Sequence, residues 1–151
     1  MSTRLQQLYE AMILEHNKHP RNFKGIEGCS HKSHGKNPLC GDDYYVFLNL
    51  DANQVITDVG FLGQGCAISK SSGSLMTDTV KGKTVSEVLA LKTAFLHMVT
   101  EGATEDEKKS LGKLTVFEGV KEYPIRVKCA ALVWRALEDA LAGQSGHIST
   151  E

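Results

Sequence analysis

The chain has 151 residues, with 17 basic and 18 acidic side chains and a formal charge of −1. This length suits one domain with its own hydrophobic core, and the balanced charge excludes the basic surface of a nucleic-acid-binding protein or a polybasic membrane anchor. The longest unbroken apolar run, residues 129–134, is much shorter than the roughly 20 residues that span a bilayer, and the N-terminus lacks the apolar stretch of a signal peptide. We therefore expect a single domain over residues 1–151 in the cytoplasm, where the four cysteines suit metal binding or catalysis better than disulfide bonds.

The N-terminal region begins with a helical pattern. Apolar residues at spacings of three and four predict an amphipathic helix from Thr3 to about His19, which Pro20 ends. Residues 21–39 contain several glycines and no sustained periodicity. We predict a loop there that contains at most one short strand.

The central region carries a hairpin pattern between two cysteines. Residues 43–50 and 55–62 are rich in β-forming side chains and flank the turn-like segment 51–54, which predicts an antiparallel hairpin. The hairpin begins beside Cys40, and a glycine-rich turn then leads into a helix that starts near Cys66. Because an antiparallel hairpin brings its outer ends together, these two cysteines should be neighbours in space.

The C-terminal half is predicted to be helical. We expect three helices there. The first is opened by the capping box of Thr84 and Glu87, the second is a short capped helix at residues 104–110, and the third is a long helix over residues 124–141. The chain around residues 100–122 is otherwise polar and broken by glycines, and the tail from 143 to 151 is expected to be mobile. The order of one helix, a hairpin and then helices is typical of an α+β fold.

Four side chains from separate segments could meet at one ion. Asp42 lies two residues after Cys40 in extended chain, so both side chains can face the same way, and Gly41 allows the backbone to bend. Cys66 is the expected neighbour of this pair, and Cys129 near the start of the last helix would supply a fourth ligand. Three thiolates and a carboxylate satisfy the tetrahedral preference of zinc.

Other interpretations of these residues stay open. No Cys-x-x-Cys pair occurs, and Cys129 shares the apolar face of its helix with Ile125 and Leu132, so it could be an ordinary core residue. A second possible metal group combines Cys40 with the cysteine and histidines of the irregular segment before it, namely Cys29, His31 and His34. No P-loop or dinucleotide-binding fingerprint is present, which argues against nucleotide binding.

Three separated motifs resemble one known family. They are "NPLCGDD" around Cys40, "GQGCAISKSSGSLMTDTVKGK" around Cys66 and "KCAALVW" around Cys129, in the order found in the SufU branch of the U-type iron–sulfur assembly proteins, which also include IscU and the NifU N-terminal domain. The resemblance implies metal ligands at Cys40, Asp42, Cys66 and Cys129. It also implies a small antiparallel sheet of about three strands flanked by helices. The implied partners are a pyridoxal-phosphate cysteine desulfurase of the SufS type and a downstream Suf scaffold or thiol acceptor.

Two differences from IscU favour the SufU branch. IscU-type scaffolds carry a histidine immediately before the third cysteine, where this chain has Lys128, and the interval between Cys66 and Cys129 is longer here. The resemblance therefore implies a zinc-dependent sulfurtransferase that accepts persulfide sulfur. The alternatives are a scaffold for iron or an iron–sulfur cluster and a zinc-stabilised interaction domain without catalysis.

Cys40 is the expected sulfur acceptor. It lies on a glycine-flanked loop rather than on a helix, so it is the ligand that could detach while Asp42, Cys66 and Cys129 keep the metal. The resemblance also points to Arg126 as a residue that holds the freed or persulfidated Cys40. The alternative for Arg126 is a solvated position at the start of the last helix.

Overall fold

The computed structural model describes residues 3–143 and 147–149. Within this part of the chain, helices pack against one face of a small sheet. The helices are α1 (Thr3–Lys18), α2 (Ala67–Val80), α3 (Val85–Thr100), α4 (Glu105–Leu111), a 3₁₀ helix (Gly112–Glu122) and α5 (Pro124–Leu141). None of these helices is both long enough and apolar enough to cross a membrane.

The sheet has the spatial order β3-β2-β1-β4. Its strands are β1 (His31–Asn37), β2 (Asp42–Leu50), β3 (Ile56–Gln64) and β4 (His147–Ser149). The first three strands pair antiparallel, which confirms the predicted α+β fold, and the short β4 adds a parallel pairing to β1. The tail from 143 to 151 stays a prediction of mobility, since 144–146, 150 and 151 lie outside the described residues.

Strand β1 is more regular than the sequence predicted. It lies in the segment expected to be mainly loop, and its residues on the face toward the helices are Ser33, Gly35 and Asn37. These small or polar residues give no apolar alternation, so the usual strand pattern is missing from the sequence. Their size serves close packing instead, because a Cβ added at Gly35 would lie 3.0 Å from Leu132 Cδ1 of α5.

The helix starts agree with the capping signals. The side chains of Thr84 and Thr104 cap α3 and α4, and both positions form complete capping boxes. Helix α5 covers the predicted range, but Ile125, expected on its buried face, is 63% exposed. This residue lies in the first turn of α5, before the helix meets the sheet and the rest of the core.

The segment before α5 differs from the polar, broken chain that we predicted. It forms the 3₁₀ helix, and its buried apolar residues are Leu114, Val116, Phe117 and Val120. Phe117 packs edge-on against Phe95, whose ring in turn stacks on Trp134 at a centroid distance of 4.7 Å. The core between α3, α5 and the 3₁₀ helix is therefore built around these three aromatic rings.

Helix α2 approaches β3 so closely that only glycine fits at position 73. A Cβ there would lie 2.6 Å from Phe61 Cε2, and Phe61 is fully buried.

We expect Gly73→Ala to lower the free energy of unfolding by about 1–3 kcal/mol through overpacking, although alanine favours helices by roughly 1 kcal/mol. Urea denaturation measures this, with Gly119→Ala as control because a Cβ at Gly119 meets nothing within 4 Å. Equal stability of the two variants would contradict the close approach.

Candidate metal centre

Cys40 lies in the turn that joins β1 to β2. Strand β1 ends at Asn37 and β2 begins at Asp42, and these two residues are paired in the antiparallel register. The Cys40 backbone N–H donates to the Asn37 carbonyl at 3.2 Å, and Gly41 takes a positive φ of 71°. The left-handed conformation at Gly41, which favours glycine, turns the chain back so that the half-buried Cys40 stays close to Asp42.

Helix α5 brings Cys129 to the same end of the sheet. Cys129 is 1% exposed, and its thiol lies 3.6 Å from the Ile125 carbonyl and 3.7 Å from Asn37 Nδ2. Burial, together with neighbouring Cys40 and Asp42, raises the pKa of the Cys129 thiol far above its ordinary value. Without a cation nearby this thiol therefore stays protonated.

Three of the four proposed ligands lie within mutual reach. The ligand atoms of Cys40, Asp42 and Cys129 are all within 4.8 Å of one another, and no other group of three potential metal-binding residues is found among the described residues. Two sulfurs and a carboxylate oxygen are a donor set that zinc binds well. The residues present therefore fit the metal that the sequence predicted.

Cys66 borders this group without joining it. It is the N-cap of α2, where its sulfur accepts a hydrogen bond from the Ser69 N–H at 3.5 Å. Its own backbone N–H donates to Asp42 Oδ1 at 3.1 Å. The two hairpin ends meet, as predicted, so Cys66 lies beside the group. Its backbone N–H contacts Asp42, while its thiol caps α2.

The Asp42 carboxylate is 1% exposed and held by several donors. Besides the Cys66 N–H, the Ser69 hydroxyl donates to Oδ1 at 3.0 Å, and Asn37 Nδ2 lies 3.4 Å from Oδ2. The Tyr44 hydroxyl lies 3.1 Å from Ser69 Oγ, and burial raises the pKa of Tyr44 well above its ordinary value. These contacts fix the carboxylate before any metal arrives.

Sequence reasoning did not identify three residues that shape this site. Asn37 and Ser69 contact Asp42, and a Cβ at Gly65 would lie 2.5 Å from both Asp42 Oδ1 and Ser69 Oγ. All three stand inside the motifs "NPLCGDD" and "GQGCAISKSS". The motifs indicated the candidate ligands, but the polar and glycine residues beside those ligands gave no signal of their own.

Arg126 lies in the first turn of α5, one turn before Cys129. It is exposed, its guanidinium carbon lies 5.7 Å from the Tyr123 ring centre, and it lines a groove of about 590 Å³ between α1, the 3₁₀ helix and α5.

The alternative group of Cys29, His31 and His34 does not converge among the described residues. His34 instead lies 2.5 Å from Asp43 Oδ1 and stacks on Tyr45.

Known proteins resemble this chain over most of its length. The zinc-dependent sulfurtransferase SufU of Bacillus subtilis (strain 168) is 38% identical over 142 residues, which cover 94% of this chain and 95% of that protein. The iron–sulfur cluster assembly scaffold protein IscU of Streptococcus pyogenes serotype M1 is 37% identical over 139 residues, covering 92% of this chain and 86% of the relative.

Solved structures show the same fold. The SUF-system protein FiSufU of Fervidobacterium islandicum AW-1 superposes with a TM-score of 0.82 at 35% identity, over 93% of this chain and 99% of that one. A NifU-like N-terminal domain from Brucella abortus gives a TM-score of 0.80 at 25% identity, over 91% and 94% of the two chains. The family model of the NifU-like N terminal domain matches residues 8–130. The chain therefore belongs to the NifU-like N-terminal domain family of iron–sulfur cluster assembly proteins.

Proposed function

We propose that this protein is a zinc-dependent sulfurtransferase. It accepts sulfur on Cys40 from the persulfide of a pyridoxal-phosphate cysteine desulfurase of the SufS type, in the cytoplasm, and passes it on to a Suf scaffold or thiol acceptor. The observation that carries the proposal is the convergence of Cys40, Asp42 and Cys129 from two distant segments. The similarity to the zinc-dependent sulfurtransferase SufU supports the same activity.

The proposed ligands are Cys40, Asp42, Cys66 and Cys129. Bound zinc supplies charge that keeps thiols deprotonated, and it has no redox chemistry of its own. Cys66 would join the other three by turning its sulfur away from the Ser69 N–H, and its backbone N–H already contacts Asp42. An N-cap side chain contributes roughly 1 kcal/mol to a helix, which is small beside the roughly 10–16 kcal/mol of free energy with which structural zinc binds small zinc-folded peptides.

Sulfur transfer to Cys40 is a displacement at sulfur. The Cys40 thiolate attacks the terminal sulfur of the donor persulfide, a bond forms between these two sulfurs, and the donor's sulfur–sulfur bond breaks. The donor cysteine leaves as a thiolate and Cys40 becomes the persulfide, so no external oxidant or reductant is needed. Cys40 suits this role because it is half-buried on a turn, whereas Cys129 is fixed on a helix and buried.

Arg126 is the cation proposed to hold the Cys40 persulfide. A persulfide is an anion near neutral pH, and Arg126 carries an exposed guanidinium one turn before Cys129, whose sulfur lies within 4.8 Å of the Cys40 sulfur. The exposure of Arg126 supports this role, since no partner fixes it in place beyond the Tyr123 ring among the contacts described for it.

A cluster scaffold is the second candidate function, because relatives with similar coverage are named scaffold proteins. The same three cysteines would serve it. Lys128, directly before Cys129, supports sulfur transfer instead, since an ammonium group cannot ligate iron while it is protonated. Anaerobic reconstitution with iron and sulfide separates the two functions. A stable visible absorption would favour the scaffold, and its absence with retained sulfur acceptance would favour the sulfurtransferase.

We expect Cys40→Ala to abolish sulfur acceptance, because no other thiol of the group lies on a turn. The measurement is intact-protein mass spectrometry after incubation with desulfurase and cysteine, which reports an added sulfur atom. Cys29→Ala is the matched control and should accept sulfur as the unchanged protein does, since Cys29 lies outside the metal-binding group. Continued sulfur acceptance by Cys40→Ala would remove Cys40 from this role.

Zinc binding should stabilise the folded protein. At free zinc about 100-fold above the Kd, the expected gain is about 2.7 kcal/mol, or roughly 5–10 °C in Tm for a chain of this size. Removal of zinc by a chelator should reverse this gain in stability. Zinc should stabilise Asp42→Ala much less than the unchanged protein, because a ligand is missing. Elemental analysis paired with thermal melting tests both points. Undiminished zinc content in Asp42→Ala would show that Asp42 is not a ligand.

A further inference from the structure

We propose that Asn37 is a positioning residue of the metal centre, and that its side-chain amide holds Asp42 and Cys129 as a fixed pair of ligands. This inference rests on the proposed metal binding. Asn37 is not one of the predicted ligands, and its amide nitrogen cannot bind zinc because it carries two hydrogens and no free lone pair for a metal. Its role is exerted through the two ligands it contacts.

The position of Asn37 is fixed by the sheet. It is the last residue of β1, it is fully buried, and it pairs with Asp42 across the antiparallel register. Directly paired residues on neighbouring strands place their side chains on the same face. Asn37 and Asp42 therefore face α5 together, at the level of Cys129.

One amide nitrogen serves both ligands. Asn37 Nδ2 lies 3.4 Å from Asp42 Oδ2 and 3.7 Å from Cys129 Sγ, and its two hydrogens allow one donation to each. Hydrogen bonds to a carboxylate or thiolate are stronger than those to neutral groups. The amide thus stabilises both ligands most in the charged forms that bind a metal.

The other end of the same side chain makes no compensating contact. Asn37 Oδ1 is buried and has no hydrogen-bond partner among the described residues. A buried acceptor without a partner costs stability, and an apolar side chain of similar volume would avoid that cost. The favourable contacts of the Asn37 side chain are therefore those to Asp42 and Cys129, which indicates a role in the site rather than in folding.

The backbone of Asn37 contacts Cys40, whereas its side chain contacts Asp42 and Cys129. Its carbonyl accepts the Cys40 N–H at 3.2 Å, so Asn37 contacts the turn that carries Cys40 through its backbone. Asp42 and Cys129 are held by the side chain. Movement of Cys40 toward a sulfur donor can therefore leave the other two ligands in place.

Asn37→Leu tests the inference, because leucine has the same number and branching of side-chain heavy atoms and no donor. We expect zinc affinity to fall roughly 10- to 100-fold, as is typical when a group that orients metal ligands is lost. The absorption bands of the cobalt-substituted protein should also shift, since cobalt reports on ligand geometry. The Tm of the metal-free protein should stay the same or rise, because the orphaned carbonyl is removed.

Ser33→Ala is the matched control. Ser33 lies on the same face of β1, is 2% exposed, and its hydroxyl donates to the Ala136 carbonyl of α5 rather than to a ligand. This variant should lower the metal-free Tm and leave zinc affinity and the cobalt spectrum unchanged. An equal loss of zinc affinity in both variants would show that Asn37 acts only through general packing of β1, and would overturn the inference.

The outcomes separate this inference from the proposed function. Unchanged zinc affinity and an unchanged cobalt spectrum in Asn37→Leu, with tight binding by the unsubstituted protein, would refute the role of Asn37 and leave the metal site standing. Absence of zinc binding by the unsubstituted protein would refute both. If circular dichroism shows that Asn37→Leu does not fold, Asn37→Ala removes the same donor and is judged by the same cobalt spectrum and zinc affinity.

Discussion

The buried carboxylate of Asp42 connects the parts of the molecule on which the site depends. Its Oδ1 accepts hydrogen bonds from the first residues of α2, through the Cys66 N–H and the Ser69 hydroxyl, and its Oδ2 faces Asn37 at the end of β1. A charged group is costly to bury unless donors surround it. The donors that offset this cost also hold β1, β2 and the start of α2 in position. The geometry of the site therefore depends on the same contacts as the local fold.

Small residues make this arrangement possible. Gly35 lets α5 lie close to β1, Gly73 lets α2 lie close to β3, and Gly65 leaves space for the Asp42 carboxylate and the Ser69 hydroxyl. Each of these positions would bring a Cβ to within 3.0 Å of a neighbouring side chain. Because both helices approach the sheet so closely, Cys129 and the N-terminus of α2 reach the end of the sheet where Cys40 turns.

The candidate ligands lie on elements that restrict them to different degrees. Cys129 is buried on α5, and Asp42 is held at the start of β2, whereas Cys40 occupies a short turn between paired strands. The proposed sulfur transfer needs a thiolate that can move to a donor, and the proposed metal site needs ligands that stay in place. This division follows from secondary structure: a helix and a paired strand restrict a side chain far more than a glycine-containing turn does.

The sequence determined the elements with strong local signals and the identity of the site's main side chains. The capping boxes at Thr84 and Thr104 and the apolar periodicity of α5 are local, so they predicted those helices, and the three cysteine motifs indicated the candidate ligands. The position and length of β1, within a segment predicted as a loop with one possible short strand, and the buried 3₁₀ helix were not predicted. Ser33, Gly35 and Asn37 lack apolar alternation, and Phe117 is buried by contacts with distant residues. Only the tertiary structure decided that Cys40, Asp42 and Cys129 lie together, that the Cys66 thiol caps α2, and that Asn37 contacts two of the candidate ligands. The physical reason is that each of these contacts joins residues from separate elements, and their distances depend on how closely the helices pack on the sheet.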